Sequence, residues 1–205
     1  VNPLPSFDID DPTVICLNLT QPVEIGTSNW NGAADPSIYT YSWTLDSDPS
    51  FSETTETIFP DKGGIYTVVA QDPITFCTQT KSITVTESEM ANIDLDKDGD
   101  VTDSEYDYFI EVLDLTDDNT NTITINNVTD LGIGDYEFSL DDAFGPYQDD
   151  PVFTDVPPGV HTVYIRDKNS YYTYDYGCGI AEIKVSIIGY KKYFTPNGDG
   201  INEKW

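Results

Sequence analysis

Two stretches of this chain repeat each other at a constant offset of 95 residues. Tyr41-Ser42-Trp43-Thr44-Leu45-Asp46 aligns with Tyr136-Glu137-Phe138-Ser139-Leu140-Asp141. At the same spacing Gly64-Ile65-Tyr66-Thr67-Val68 aligns with Gly159-Val160-His161-Thr162-Val163, and Asp72 falls onto Asp167. An offset held through separate motifs marks one structural unit present twice. A chain of 205 residues then divides into two domains of about 100 residues each.

Each copy reads as β structure. Tyr41/Trp43/Leu45 and Tyr136/Phe138/Leu140 alternate at period two, as half-buried strands do. The β-branched runs 65–70 and 160–166 are each entered through a glycine, and 83–85 and 183–187 close each copy. Short strands between Pro/Gly/Asp turns define an all-β fold of two tandem immunoglobulin-like sandwiches. The Gly-x-Tyr-Thr-Val pattern at 64–68 resembles the polycystic-kidney-disease-type repeats of bacterial surface proteins, which implies a tyrosine corner at Tyr66. Trp43 and Phe138 are expected in the cores rather than stacked on a ligand. The expected boundaries are 1–88 for the first sandwich, 89–107 for an acidic linker, 108–189 for the second sandwich and 190–205 for a separate C-terminal element.

Charge limits the partners. There are 37 acidic and 9 basic residues, a net charge of −28. Nucleic acid is excluded, because holding phosphates needs a basic face, and anionic lipid is disfavoured on the same ground. Acidity on this scale can mean disorder, but 13% aromatic residues supply material for cores. No apolar run is long enough for a transmembrane helix, and 1–10 lack the basic and apolar regions of a signal peptide.

Of the three cysteines, Cys16 sits in the first expected strand and Cys77 follows the penultimate strand of copy one. A Cys16–Cys77 disulfide would tie the two ends of that domain and contribute about 4 kcal/mol through loop closure. It would also imply an oxidising, extracytoplasmic compartment. The position in copy two that matches Cys16 holds Glu111, so Cys178 is expected as a buried free thiol, with an intermolecular bridge as the alternative.

Between the copies lies Asp94-Leu95-Asp96-Lys97-Asp98-Gly99-Asp100-Val101-Thr102-Asp103-Ser104-Glu105. It matches the twelve-residue EF-hand calcium loop. Asp94, Asp96 and Asp98 offer carboxylates at positions 1, 3 and 5, and Gly99 permits the sharp turn at position 6. Asp100 offers its carbonyl, Thr102 its hydroxyl or a water, and Glu105 a bidentate carboxylate, with Asp103 as outer charge. An entry helix is not expected, so the likeness is confined to the loop. Thr102 and Glu105 have capping-box spacing, which leads to one helical turn and then a strand over 108–113. Ca2+ at this junction is expected to stiffen it, since clustered carboxylates repel without an ion.

The final sixteen residues are the most specific stretch. Phe194-Thr195-Pro196-Asn197-Gly198-Asp199-Gly200-Ile201-Asn202, with Trp205 close behind, follow an aromatic lead-in at 190–193. This string resembles the opening of the gliding-motility-associated C-terminal domain of Bacteroidetes, the type B sorting signal of the type IX secretion system. Glu203 stands where Asp is usual and Lys191 where Pro is frequent. The family's domain continues for several more strands, so the expectation is a piece of a longer exported protein. The resemblance implies a cell-surface adhesin like the SprB-type gliding adhesins, attached at the outer membrane. Its implied partners are the type IX translocon and a SprF-like outer-membrane protein.

Catalytic signatures are sparse. His161 is the chain's one histidine and replaces Tyr66 of copy one, which points to a structural role. A Ser-His-Asp triad or a His-based zinc site therefore has little to build on, and no enzyme is expected. The acid pairs Asp117-Asp118, Asp141-Asp142 and Asp149-Asp150 fall in turns and read as solvated. Tyr171, Tyr172, Tyr174 and Tyr176 form a Tyr-rich insertion that suits a contact loop for protein or surface glycans. The rival readings are an accessory module of a secreted, type IX-exported hydrolase and a glycan-binding module.

Overall fold

The computed structural model describes residues 4–9, 13–19, 22–26, 30–31, 36–96, 101–114, 120–168 and 177–189. The fold is nearly all β, as the repeat predicts, and the chain divides into two compact units that meet in sequence between Ser88 and Glu89.

The first unit is organised around a five-stranded sheet in the order β2-β7-β6-β4-β5. Its strands are β2 (Thr13–Cys16), β4 (Thr40–Leu45), β5 (Asp48–Glu53), β6 (Gly64–Gln71) and β7 (Thr78–Ser88). The expected alternation is realised in β4, where Tyr41, Trp43 and Leu45 are buried and their neighbours exposed. β2 runs parallel to β7, while the other pairs are antiparallel. A smaller layer holds β1 (Asp8–Ile9) paired with β3 (Trp30–Asn31), and a bridge between Ile25 and Ile58. Phe7, Ile9, Val23, Ile25 and Ile58 are buried there.

The second unit contains two three-stranded sheets. One is β10 (Tyr136–Leu140), β12 (Gly159–Asp167) and β13 (Ile180–Ile187); the other is β11 (Val152–Val156), β9 (Asn121–Ile125) and β8 (Ile110–Leu113). One apolar core joins them, with Ile110, Ile123, Ile125 and Val156 from one sheet and Phe138, Ile165, Ile183 and Val185 from the other. Asp114 closes the exit of this unit, accepting hydrogen bonds from the Ile188 and Gly189 amides at 2.7 and 2.9 Å.

Four expectations change. Cys77 carries a free thiol, whereas Cys16 and Cys178 are the disulfide-bonded cysteines. The parallel pairing explains why Cys16–Cys77 fails. Cys16 is level with Ser88 at one end of β7, and Cys77 precedes Thr78 at the other. Eleven extended residues separate those levels by roughly 35 Å, while a disulfide needs Cα atoms within about 7 Å. Cys178 is buried, as expected, but is oxidised rather than free. Iodoacetamide under native, non-reducing conditions should therefore add a single label, at Cys77, and Cys77→Ser should take none.

The segment after Ser88 is also no free linker. The Glu89 amide donates to the Ile133 carbonyl at 2.6 Å and the Asn92 amide to the Leu131 carbonyl at 2.7 Å. Tyr136 donates its hydroxyl back to the Glu89 carbonyl at 3.1 Å, and Ala91 is buried in the second core with Ile93 packed against it. Backbone bonds plus apolar anchoring make 89–93 part of the second unit. Finally, the strand expected over 108–113 starts later: α1 (Asp103–Phe109) runs directly into β8.

Candidate functional site: the acidic loop and the repeat corners

The acidic loop enters from the anchored segment 89–93 and leaves into α1. The capping box predicted from Thr102 and Glu105 is present. The Glu105 amide donates to Thr102 Oγ1 at 3.4 Å, and the Thr102 amide donates to Glu105 Oε2 at 2.8 Å. Glu105 does more than cap. Its Oε1 accepts from the Leu95 amide at 2.6 Å and the Asp96 amide at 3.3 Å, and its Oε2 also accepts the Thr102 hydroxyl at 2.8 Å. One carboxylate thus fastens both ends of the loop, and it is buried in doing so. The Thr102 amide, then its hydroxyl and the Leu95 and Asp96 amides, hold its pKa below the usual carboxylate range against the upward push of burial.

Asp94, Asp96 and Glu105 each bring a carboxylate oxygen within 4.8 Å of the others. All three are hard oxygen donors, the kind that suits Ca2+. A carboxylate has about four lone-pair sites, and four donors use those of Glu105. An ion bound by it would therefore take the place of some of these amide bonds. Of the other residues assigned to the ion, Thr102 is described, with its hydroxyl committed to Glu105 or Ser104. Asp98 and Asp100 lie outside the described residues, as do Tyr171, Tyr172, Tyr174 and Tyr176 and the whole motif from Phe194 to Trp205.

The second constellation is structural in the first unit and acquires a titratable group in the second. Tyr66 donates its hydroxyl to the Lys62 carbonyl at 2.9 Å, four residues upstream, which is the tyrosine corner implied by the resemblance. His161 copies it: Nε2 lies 2.8 Å from the Pro157 carbonyl oxygen, again four residues upstream. Gly64 and Gly159 enter the two corner strands with φ of +146° and +152°, a region closed to most side chains.

Asp141 is the residue that sequence reasoning missed. It is exposed, as expected of a turn acid, but it is not free of contacts: its Oδ2 lies 2.7 Å from His161 Nδ1 and its Oδ1 accepts the Thr162 amide at 2.8 Å. A register difference brings this about. Leu45 pairs with Tyr66 in the first unit, but Leu140 pairs with Val163 in the second, two residues beyond the position that the repeat aligns. A slip of two keeps every side chain on its own face and moves Asp141 along β12 to Thr162. Asp46 makes the corresponding bond to the Ile65 amide at 2.9 Å, so an acid after the strand was the available signal.

The described residues of the first unit also line two clefts that share Phe59. One, of about 260 Å³, lies among Ile15, Leu17, Val23 and Asp61; the other, of about 400 Å³, lies beside Phe51, Glu53 and Ile58. Each offers one carboxylate and little to work with it.

No known protein family matches this chain, and no curated protein does. Among solved structures, a similar chain is a SusE-like, surface-located polysaccharide-binding protein from the Bacteroides thetaiotaomicron heparin utilisation locus. The identity is 11%, the TM-score 0.25, and the match covers 89% of this chain and 33% of that one. A TM-score this low carries no argument about what this chain does.

Proposed function

We propose that this region is a non-catalytic, calcium-stiffened spacer of a cell-surface adhesin, exported by the type IX secretion system and held at the outer membrane. The observation that carries the spacer reading is the cluster of Asp94, Asp96 and Glu105 at the entrance to the second unit, with its flanks anchored on both sides. An ion held there by Asp94, Asp96 and Glu105, with Asp98, Asp100 and Thr102 as further donors, would neutralise carboxylates that otherwise repel. The start of the second sandwich then becomes stiffer than a bare acidic segment, as load transmission requires.

Two features support a non-catalytic role. His161 has Asp141 and the Pro157 carbonyl as the partners of its two ring nitrogens, a structural placement within the corner. Trp43, Tyr66 and Phe138, three aromatic residues of the repeat motifs, are spent in the cores. Export and attachment rest on the resemblance at 194–205, and a SprF-like protein is the partner it implies.

Thermal unfolding in excess EDTA and in millimolar calcium tests the reading. A loop of the extracellular affinity class, with Kd of about 10⁻⁴–10⁻³ M, gains roughly 0.4–1.4 kcal/mol at 1 mM calcium by mass action. The second unit's transition should rise by a few degrees in calcium. Superimposable curves would reduce the loop to acidic decoration and sink the stiffened spacer.

A further inference from the structure

We propose that the His161 corner is a proton-held latch: the protonated ring fastens the 157–158 turn and Asp141 to β12, and loss of one proton releases the turn. His161 is buried, and its two nitrogens face Asp141 Oδ2 at 2.7 Å and the Pro157 carbonyl oxygen at 2.8 Å. A carboxylate and a carbonyl can only accept, so both nitrogens must donate, and only the imidazolium carries two N–H groups. When one proton leaves, the remaining one stays at Nδ1 beside the ionised Asp141. The Nε2 lone pair then faces the Pro157 oxygen at hydrogen-bond distance with no proton between them. A buried contact of that kind is costly.

Relief comes from the turn. β12 is paired with β13 from Gly159 to Arg166 and with β10 from Val163 to Asp167, which holds the strand that carries His161. Pro157 and Pro158 lie in neither strand, between the end of β11 and the start of β12, and Gly159 sets no side chain against the ring. The charge facing the ring from the neighbouring elements is Asp141, at the end of β10. β13 sets Val185 opposite His161, while Lys184 pairs with Thr162 on the other face of the sheet. Asp155 of β11 is exposed.

The direction of titration agrees. Burial pushes the ring down, but the bonds to Asp141 and Pro157 outweigh it, and the net shift is upward from 6.5. A raised folded-state pKa means the latch is complete below about 6.5 and is lost as pH rises through the folded value. Tyr66 makes the same corner in the first unit with a hydroxyl that burial keeps protonated well past neutrality. The proton dependence is confined to the second copy.

The chain's single histidine makes the test direct. Imidazole ¹⁵N and ¹³C signals of the full chain would be followed from pH 5 to 9, with amide exchange at residues 159–161 corrected for its intrinsic pH dependence. Both ring nitrogens should carry protons at pH 6, with a midpoint above 6.5. Corner protection should fall beyond that midpoint, by about tenfold for each unit by which it exceeds 6.5. Asp141→Asn should lower the midpoint, and His161→Tyr should flatten the protection profile. A wild-type midpoint at or below 6.5, or protection unchanged through it, would overturn the latch, and neither readout depends on a variant folding.

Discussion

Trp43→Ala should be among the most damaging single changes in the first unit. The side chain is fully buried on β4, opposite Val68 of β6, and its indole N–H donates to the Thr55 carbonyl at 3.0 Å. Truncation removes the ring from the core and leaves a cavity that the paired strands cannot close. The cost for such a change is about 3–5 kcal/mol, against a total of about 5–15 kcal/mol for a typical domain. In a unit of this size that lowers the melting temperature by roughly 15 °C or more. Trp43→Phe separates the two contributions. It keeps a ring in the core and gives up the bond to Thr55, which is exposed and free to turn its carbonyl to water. Its cost should be about 1–2 kcal/mol. An Ala variant within about 1 kcal/mol of wild type would mean that Trp43 is not the anchor of this core.

The burial of Trp43 is legible in the sequence, and the reason is physical. Period-two alternation is a local property of a strand with one buried face. Tyr41, Trp43 and Leu45 therefore declared their burial from sequence alone. The repeat added the tyrosine corner at Tyr66 and its replacement at His161, and the helix start at Thr102 was visible because a capping box needs residues only three apart. What escaped depends on relations between distant strands. Whether β2 lies parallel or antiparallel to β7 leaves no trace in either strand, yet it decides that Cys16 sits far from Cys77. The two-residue slip of β10 on β12 preserves every alternation and so is silent in the pattern, yet it sets Asp141 level with Thr162, where its carboxylate meets His161. Residues 89–93 carry no strong period, and the backbone bonds to 131–133 that help attach them to the second unit are not encoded by side-chain identities.

Glu105→Ala should damage the second unit with or without calcium, and this double loss distinguishes it from the other loop acids. In the structure the Glu105 carboxylate accepts from the Leu95, Asp96 and Thr102 amides and from the Thr102 hydroxyl, so its removal undoes the capping box and unfastens the loop. The transition in EDTA should fall clearly below wild type, and the calcium-dependent rise should vanish. Asp96→Ala removes one carboxylate of the cluster but leaves both ends of the loop fastened. Its EDTA curve should match wild type or sit slightly above it, since a like charge has gone, while the calcium rise is lost. Thr102→Ala should cost about 1 kcal/mol, the usual value of an N-cap, with calcium binding weakened rather than abolished. If Glu105→Ala unfolded like wild type in EDTA, the four hydrogen bonds would not be holding the loop. If it still rose with calcium, the ion would be binding somewhere else. The contrast between Glu105 and Asp96 matters because it separates two contributions that one residue combines. Glu105 shapes the loop through its own hydrogen bonds, and a divalent cation would then draw on a carboxylate already held in place by the fold.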